Sequence, residues 1–256
     1  MNKFVDLNSD VGESYGSYKL GLDEEVLKHL TSVNIACGWH AGDPLIMENT
    51  VKMANVKGLG IGAHPGYPDL LGFGRRNIDI TPKEARAYML YQLGALYAFA
   101  QASGSKLQHV KLHGAFYNTA SVKADIAEEI INGIIEFDKS IILLALSGSY
   151  IAKRAQERGI RVAQEVFADR AYNSDGTLVS RKLPGSVIHG EKEVIERVKK
   201  MVLTGKVNAI NGKEISIAAD SICVHGDNPK AVNFVNLIRT SLEEEGIELI
   251  PLKQFI

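Results

Sequence analysis

The order of apolar segments along the chain limits its fold more than any other feature. Short runs rich in β-branched residues alternate with longer stretches that have helical spacing. Such alternation is typical of a parallel sheet covered by helices, because each parallel connection must cross back over the sheet. The sequence predicts strands at residues 4–8, 33–36, 60–64, 109–113, 141–145, 162–167 and 221–225, and helices near residues 23–30, 44–57, 82–103, 122–137, 149–158, 191–203 and 230–245.

Seven strand–helix units favour an α/β barrel of the (β/α)7 type, with a doubly wound open sheet as the alternative. The 256 residues fit one barrel domain spanning 1–256, since such barrels need about 250 residues. Asp43-Pro44 and the capping box that starts at Thr81 mark two helix starts. Asp175-Gly176 and Asn211-Gly212 predict small β-hairpins with type I′ turns, added to the barrel.

Composition excludes several classes of protein. A net charge of −1 gives no general attraction to nucleic acid or to an anionic membrane. Residues 87–105 lack charge, but glutamine, glycine and tyrosine interrupt them, which favours a helix of a soluble protein over a membrane span. Two cysteines are too few for a disulfide scaffold, and the N-terminus lacks the apolar core of a signal peptide. We therefore expect a cytoplasmic protein.

Ionisable residues gather where the predicted strands end, which is where α/β folds place their chemistry. Four of the seven histidines lie at the end of a predicted strand, and each has a glycine one or two residues later. Glycine allows a sharp turn and close approach of a ligand, while histidines and carboxylates can transfer protons near neutral pH. The predicted catalytic group is Asp6, Asn8, Asp10, His40, His64, His113, Glu165, Asp169, His225 and Asp227.

Cations near the same strand ends predict binding of an anionic substrate. The loop of residues 67–77 carries Arg75 and Arg76 and is typical of a mobile lid. Lys111 lies two residues before His113 and should point the same way, where a buried ammonium needs an anion or a carboxylate such as Glu165. Arg170 completes the predicted substrate-binding set. From the residues alone we expect acid–base or metal-assisted chemistry on a small polar substrate.

Six segments in order resemble the LamB/YcsF family over nearly the whole chain. They are DLNSDVGES from Asp6, NIACGWHAGDP from Asn34, GAHPGYPDLLGFGRR from Gly62, VKLHGAFYN from Val110, EVFADRAYNSDGTLVSR from Glu165 and ICVHGDNP from Ile222. Trp39, Leu112 and Phe116 depart mildly from the family pattern, and none of these departures removes an ionisable group. The resemblance implies a barrel related to glycoside hydrolase and polysaccharide deacetylase folds.

The resemblance also implies an activity: ATP-dependent opening of the lactam 5-oxoproline to L-glutamate, together with partner subunits B and C. In that scheme Asp10, His40, His64 or His113 is the general base, and His225 and Asp227 protonate the departing nitrogen. Lys111 and the pair Arg75-Arg76 hold a carboxylate or a phosphoryl group. ATP would bind without a P-loop, because the sequence contains no Gly-x-x-x-x-Gly-Lys-Ser/Thr motif.

Two alternatives remain open at the level of sequence. Related barrels hold a metal ion with an aspartate and two histidines, so Asp10, His40 and His64 are candidate ligands of a metal-dependent amidohydrolase or deacetylase. A binding or regulatory protein, whose pocket retains oxoproline without reacting, is the non-enzymatic alternative.

Overall fold

The computed structural model describes residues 4–21, 23–224 and 229–256 and contains a closed parallel barrel. Within these residues, seven parallel strands form the barrel: β1 (Phe4–Val11), β2 (Ser32–Ala36), β3 (Gly60–His64), β4 (Leu107–Val110), β5 (Ile142–Leu146), β6 (Val162–Phe167) and β9 (Ser221–Cys223). They are neighbours in the order β1-β2-β3-β4-β5-β6-β9, and β9 pairs with β1 to close the ring. The predicted barrel is confirmed, and the open sheet is excluded by the closure.

Helices connect the strands and cover the outside of the barrel. They are α1 (Asp23–Val26), α2 (Pro44–Val56), α3 (Pro82–Ala102), α4 (Gly114–Val122), α5 (Ala124–Phe137), α6 (Tyr150–Glu157), α7 (Glu191–Thr204) and α8 (Pro229–Glu244). In the described part of the chain, three short strands lie outside the seven-stranded ring: β7 (Lys206–Asn208), β8 (Glu214–Ser216) and β10 (Glu248–Leu249). None of the described helices is long and apolar enough to cross a membrane.

Helix starts follow the capping signals of the sequence. The Thr81 hydroxyl accepts from the Glu84 backbone N–H, and the Glu84 carboxylate accepts from the Thr81 backbone N–H, which completes the capping box of α3. The Asp43 carboxylate accepts from two backbone N–H groups in the first turn of α2. The main apolar core fills the space between the helices and the outer face of the strands.

Two local predictions need correction. The helix predicted near residues 122–137 is confirmed as α5, but α4 was not predicted; it is separated from α5 by Lys123, whose backbone is extended (ψ 113°). Both hairpins exist, but neither turn is type I′, which needs positive φ at both central residues. Only Gly176 and Gly212 have positive φ there, so each turn is a three-residue loop with glycine in the left-handed position.

Candidate active site

Alternate residues of β1 point into the barrel and form a line of polar groups along its axis. Asp6 lies toward the amino ends of the strands and is fully buried, and its carboxylate accepts from the hydroxyls of Thr31, Ser32 and Ser221. Burial raises the Asp6 pKa to about 6, although the three hydroxyls act to lower it. The placement of Asp6 at a strand end is therefore wrong, because β1 continues to Val11.

Amide side chains occupy the middle of the barrel. Asn34 donates to the side-chain oxygens of Asn8 and Asp10 at 2.7 and 2.8 Å, and its own oxygen accepts from His109 Nε2 at 2.7 Å. Asn8 also donates to the Ser221 hydroxyl at 2.7 Å. Burial lowers the His109 pKa to about 3, so this ring is neutral. This chain of hydrogen bonds runs along the inside of the barrel and fixes the position of Asp10 at the carboxyl ends of the strands.

Lys111 links two carboxylates at these carboxyl ends. Its ammonium lies 2.9 Å from Asp10 Oδ1, 2.8 Å from Glu165 Oε1 and 3.2 Å from Cys223 Sγ. The other Glu165 oxygen accepts from the Tyr117 hydroxyl at 2.7 Å. The predicted pairing of Lys111 with Glu165 is confirmed. A lysine with two partners fixes both carboxylates and leaves the site with a net negative charge.

Three histidines lie next to Asp10. His64 Nε2 is 3.2 Å from Asp10 Oδ2 and 2.9 Å from His113 Nδ1. The His40 ring stacks on the His113 ring with their centroids 3.7 Å apart. Glu13 joins this group because Gly12, with φ +67°, turns the chain back after β1, and Glu13 Oε1 lies 3.4 Å from His40 Nε2. The structure thus brings together histidines from the carboxyl ends of three neighbouring strands, β2, β3 and β4.

The histidine cluster is almost completely buried. His40, His64 and His113 are 0, 0 and 4% exposed. The pKa values of His40 and His113 are well below the usual value, mainly because the rings are buried and secondly because other histidines lie nearby. Both rings are therefore neutral at neutral pH. The lone pair of a neutral imidazole can accept a hydrogen bond or bind a metal ion, so the cluster is suited to either role.

The loop of residues 67–77 closes over this cluster and is braced by its own residues. Arg76 forms an ion pair with Asp69 of the same loop, so its guanidinium already has an anionic partner within the protein. The Arg75 guanidinium lies over the Phe73 ring, 4.9 Å from its centroid. Phe73 has φ +53°, and its carbonyl accepts from His113 Nε2 at 2.8 Å. The predicted lid is therefore in contact with the histidines, through backbone as well as side chains.

The remaining predicted residues have other surroundings. Arg170 is buried and donates to the carbonyls of Val179 and Ser186, so it holds the segment that contains the first hairpin. Asp169 is part-buried, and its backbone carbonyl accepts from the Ile188 N–H. His225 and Asp227 lie outside the described residues.

Sequence reasoning missed several residues that the barrel brings to the site. Asn34 had a usable signal, because a polar side chain inside a buried strand needs a partner, as Lys111 does. Glu13 lies three residues after Asp10, but only the left-handed turn at Gly12 shows that it points back. Nothing in the sequence marked Tyr117 or Cys223 as site residues, because their contacts with Glu165 and Lys111 depend on how strands and helices pack.

A group of potential metal ligands differs from the predicted one. Glu13, His40, His64 and His113 each offer one ligand atom, and these atoms lie within 4.8 Å of one another. The predicted set of Asp10, His40 and His64 shares two members with it. Asp10 is instead the residue that links His64 to Lys111.

The fold is an α/β barrel, and buried histidines and carboxylates lie together at the carboxyl ends of its strands. This is where enzymes with this fold carry their active sites. A model of the LamB/YcsF family matches residues 5–256. The chain belongs to the LamB/YcsF family.

Relatives of this chain carry informative names. It is 64% identical, over all 256 residues and the whole of both chains, to a protein of Fusobacterium nucleatum that is named as the A subunit of 5-oxoprolinase. A protein of the same name from Pyrococcus horikoshii is 60% identical over 252 residues, covering 98% of this chain and 99% of its own. The crystal structure of the lactam utilization protein from Thermus thermophilus matches with a TM-score of 0.90 at 42% identity, covering 98% of this chain and 99% of its own.

Proposed function

We propose that this chain is the A subunit of an ATP-dependent 5-oxoprolinase. In this proposal the enzyme hydrolyses the lactam 5-oxoproline to L-glutamate while ATP is converted to ADP and phosphate, and the chain acts with subunits B and C. The observation that carries the proposal is the 64% identity, over the full length of both chains, to a relative that bears this name. The buried group of bases and carboxylates supports a hydrolytic role.

The chemistry of a lactam explains why ATP would be needed. An unstrained five-membered amide is a poor electrophile, and phosphorylation of its oxygen by ATP makes the ring carbon easier to attack. Water then adds to that carbon, and cleavage of the C–N bond, with a proton supplied to the departing nitrogen, leaves an acyl phosphate. A second water releases phosphate from it and gives glutamate. The absence of a P-loop motif from the sequence supports binding of ATP by, or together with, the partner subunits.

The residues of the site divide between proton transfer and positioning. Asp10 is suited to accept a proton from water. Burial lowers the pKa of His40 and of His113 well below the usual value, so we assign these two weakly basic rings to orienting that water. Lys111 already has two carboxylate partners, so we assign it to positioning Asp10 and Glu165 rather than to binding the substrate carboxylate. Arg75 remains the proposed anion-binding cation, and His225 with Asp227 remain the proposed donors to the departing nitrogen.

Oxoproline-dependent ATP hydrolysis tests the proposal. We expect little activity from the chain alone and full activity when subunits B and C are added, measured as phosphate and glutamate released in equal amounts. Asp10→Asn should lower the turnover at least ~100-fold, since a positioned base contributes about 10²–10⁴-fold. Asp125→Asn, on the exposed start of α5, is the matched control. The proposal would be contradicted if ATP hydrolysis did not depend on oxoproline, or if the complex with Asp10→Asn had normal turnover.

One observation favours a second candidate, hydrolysis of a small amide without ATP. The four potential metal ligands could supply a metal-bound water for a metal-dependent amidohydrolase or deacetylase. Omitting ATP separates the candidates, because the second predicts unchanged glutamate formation from oxoproline, or turnover of another small amide, by the chain alone.

Two further parts of the proposal concern the protein as a whole. We propose a cytoplasmic location, which the two free, buried cysteines support. We also propose that residues 1–256 form one barrel domain, supported by strands that enter the same barrel from residue 4 to residue 223.

A further inference from the structure

Two histidine ring nitrogens in the cluster face each other, and the hydrogen bond at the opposite nitrogen of each ring fixes the tautomer. His64 Nδ1 lies 2.8 Å from the Lys111 carbonyl, and His113 Nε2 lies 2.8 Å from the Phe73 carbonyl. A carbonyl oxygen only accepts, so each of these nitrogens carries the hydrogen. In neutral rings the other nitrogens, His64 Nε2 and His113 Nδ1, present lone pairs to each other at 2.9 Å. Two lone pairs repel, so a positive species between or beside them is required.

The hydrogen bonds to carbonyls are those expected of histidines that bind a metal ion. A metal-binding histidine donates its second ring N–H to a carbonyl or carboxylate, which fixes the tautomer and the direction of the ring. Both His64 and His113 have such a bond. Phe73 is the one non-glycine residue with positive φ in the described part of the chain, and its strained backbone aims the carbonyl at His113.

His40 and Glu13 add two further donor atoms on the same side. The His40 ring is fully buried, and neither of its nitrogens has a hydrogen-bond partner among residues 4–21, 23–224 and 229–256. Its Nε2 faces Glu13 Oε1 at 3.4 Å, and the same oxygen is 3.8 Å from His113 Nδ1. Ligands around a tetrahedral Zn²⁺ with bonds of about 2.0–2.1 Å are separated by about 3.3 Å. The separations of 2.9, 3.4 and 3.8 Å are close to this value, and the full spread of 4.8 Å requires one side chain to move on binding.

We propose that Glu13, His40, His64 and His113 bind one divalent transition-metal ion at the carboxyl end of the barrel. Three imidazoles and one carboxylate favour Zn²⁺ or a neighbouring first-row ion such as Co²⁺, whereas Mg²⁺ and Ca²⁺ prefer oxygen ligands. The site is a different set from the Asp10, His40 and His64 predicted from sequence. Metal binding by these residues is independent of which substrate the barrel hydrolyses.

The stacking of two rings specifies which side chain moves on binding. A metal ion lies in the plane of a ligating imidazole, yet the His40 and His113 rings are parallel within 2°. Both can bind one ion only if one ring tilts. His113 is held by the Phe73 carbonyl, whereas His40 has no hydrogen bond to lose within the described residues, so His40 is the ring that tilts.

Metal titration of the tag-free chain tests the site. Protein stripped with EDTA and dialysed is titrated with Zn²⁺ by calorimetry, and bound zinc is counted by mass spectrometry. We expect one ion per chain, and His113→Ala and His40→Ala should each lower the affinity at least ~10-fold. His189→Ala, at an exposed histidine before α7, is the matched control and should bind as the wild-type chain does.

Cobalt gives a second measurement that does not depend on activity. Co²⁺ bound by three imidazoles and a carboxylate has visible absorption bands, and Glu13→Gln should shift them in a chain whose circular dichroism and melting temperature are unchanged. A folded wild-type chain that takes up less than about one-tenth of an ion, or a His113→Ala chain that binds like His189→Ala, would overturn the metal site in favour of a proton shared by His64 and His113. Oxoproline-dependent turnover in the metal-free complex would overturn a catalytic need for metal but leave the proposed function intact.

Discussion

Lys111 shows how one buried side chain organises the site. Burial alone would lower its pKa, but the nearby carboxylate of Asp10, followed by Cys223 and Glu165, raises the pKa well above the usual value. The ammonium therefore stays charged inside the barrel. Removing it would leave Asp10 and Glu165 near each other without a cation, and both carboxylates are largely or fully buried.

Lys111→Met should destabilise the protein strongly. Breaking a buried ion pair by removing one partner costs about 3–5 kcal/mol, because the other charge is left uncompensated. Urea unfolding at pH 7 measures the loss of unfolding free energy. Lys199→Met, which removes an ion pair with Glu245 near the surface, is the control and should cost far less, because solvent screens exposed ion pairs. Equal losses in the two variants would contradict the role assigned to Lys111.

At the scale of elements, the loops after the strands depend on close backbone approach. A Cβ added at Gly66, in the loop after β3, would lie 2.5 Å from His40 Nδ1. The glycine therefore lets the loop pack directly on the ring. Gly94 in α3 differs, since a Cβ there would meet no atom within 4 Å. Packing therefore requires glycine at position 66 but not at position 94.

Gly66→Ala and Gly94→Ala should therefore change stability in opposite directions. Alanine at position 66 displaces a packed, buried ring, and overpacking of this kind costs about 1–3 kcal/mol. Alanine at position 94 should raise the unfolding free energy by up to about 1 kcal/mol, because glycine is a poor helix former. Thermal and urea unfolding of both variants measure the signs. Stabilisation by Gly66→Ala would show that His40 is not held against the loop.

At the scale of the whole molecule, buried ionisable groups make stability depend on pH in two opposing ways. Burial raises the pKa of Asp6 and of Asp23 to about 6 in each case. The stability contributed by such a carboxyl group is present below about pH 4 and is lost as the pH rises through 6. His109, with a pKa of about 3, has the opposite effect, since it loses stability as the pH falls below 6.5.

Comparing the pH dependence of the unfolding free energy of the wild-type chain with that of Asp6→Asn isolates the contribution of the Asp6 carboxyl group. The histidines and Asp23 are the same in both proteins. The Asp6 pKa rises from 3.8 to about 6, so the unfolding free energy of the wild-type chain, relative to the variant, should fall by roughly 3 kcal/mol between pH 3.5 and pH 7. Urea unfolding at intervals across this range measures the difference. Parallel curves for the two proteins would show that Asp6 keeps an ordinary pKa.

Much of the architecture could be predicted because its signals are local. The apolar runs of β3 and β6 and the capping box at Thr81 are each read within a few residues. The short strand β10 was missed, since two residues give no periodicity and form a strand only by pairing with β1. The nine-residue helix α4 was missed for a related reason: it begins directly after His113 without a side-chain cap, so no local signal marks its start.

The sequence by itself determined the alternation of strands and helices and the end of the barrel at which the histidines gather, because both follow from short-range patterns and from the parallel direction of the strands. Only the tertiary structure decided which atoms meet. His64 faces His113, Lys111 lies between Asp10 and Glu165, and Arg76 turns to Asp69. These contacts depend on strand register, on closure between β9 and β1, and on loop direction, which are set by packing of the whole barrel.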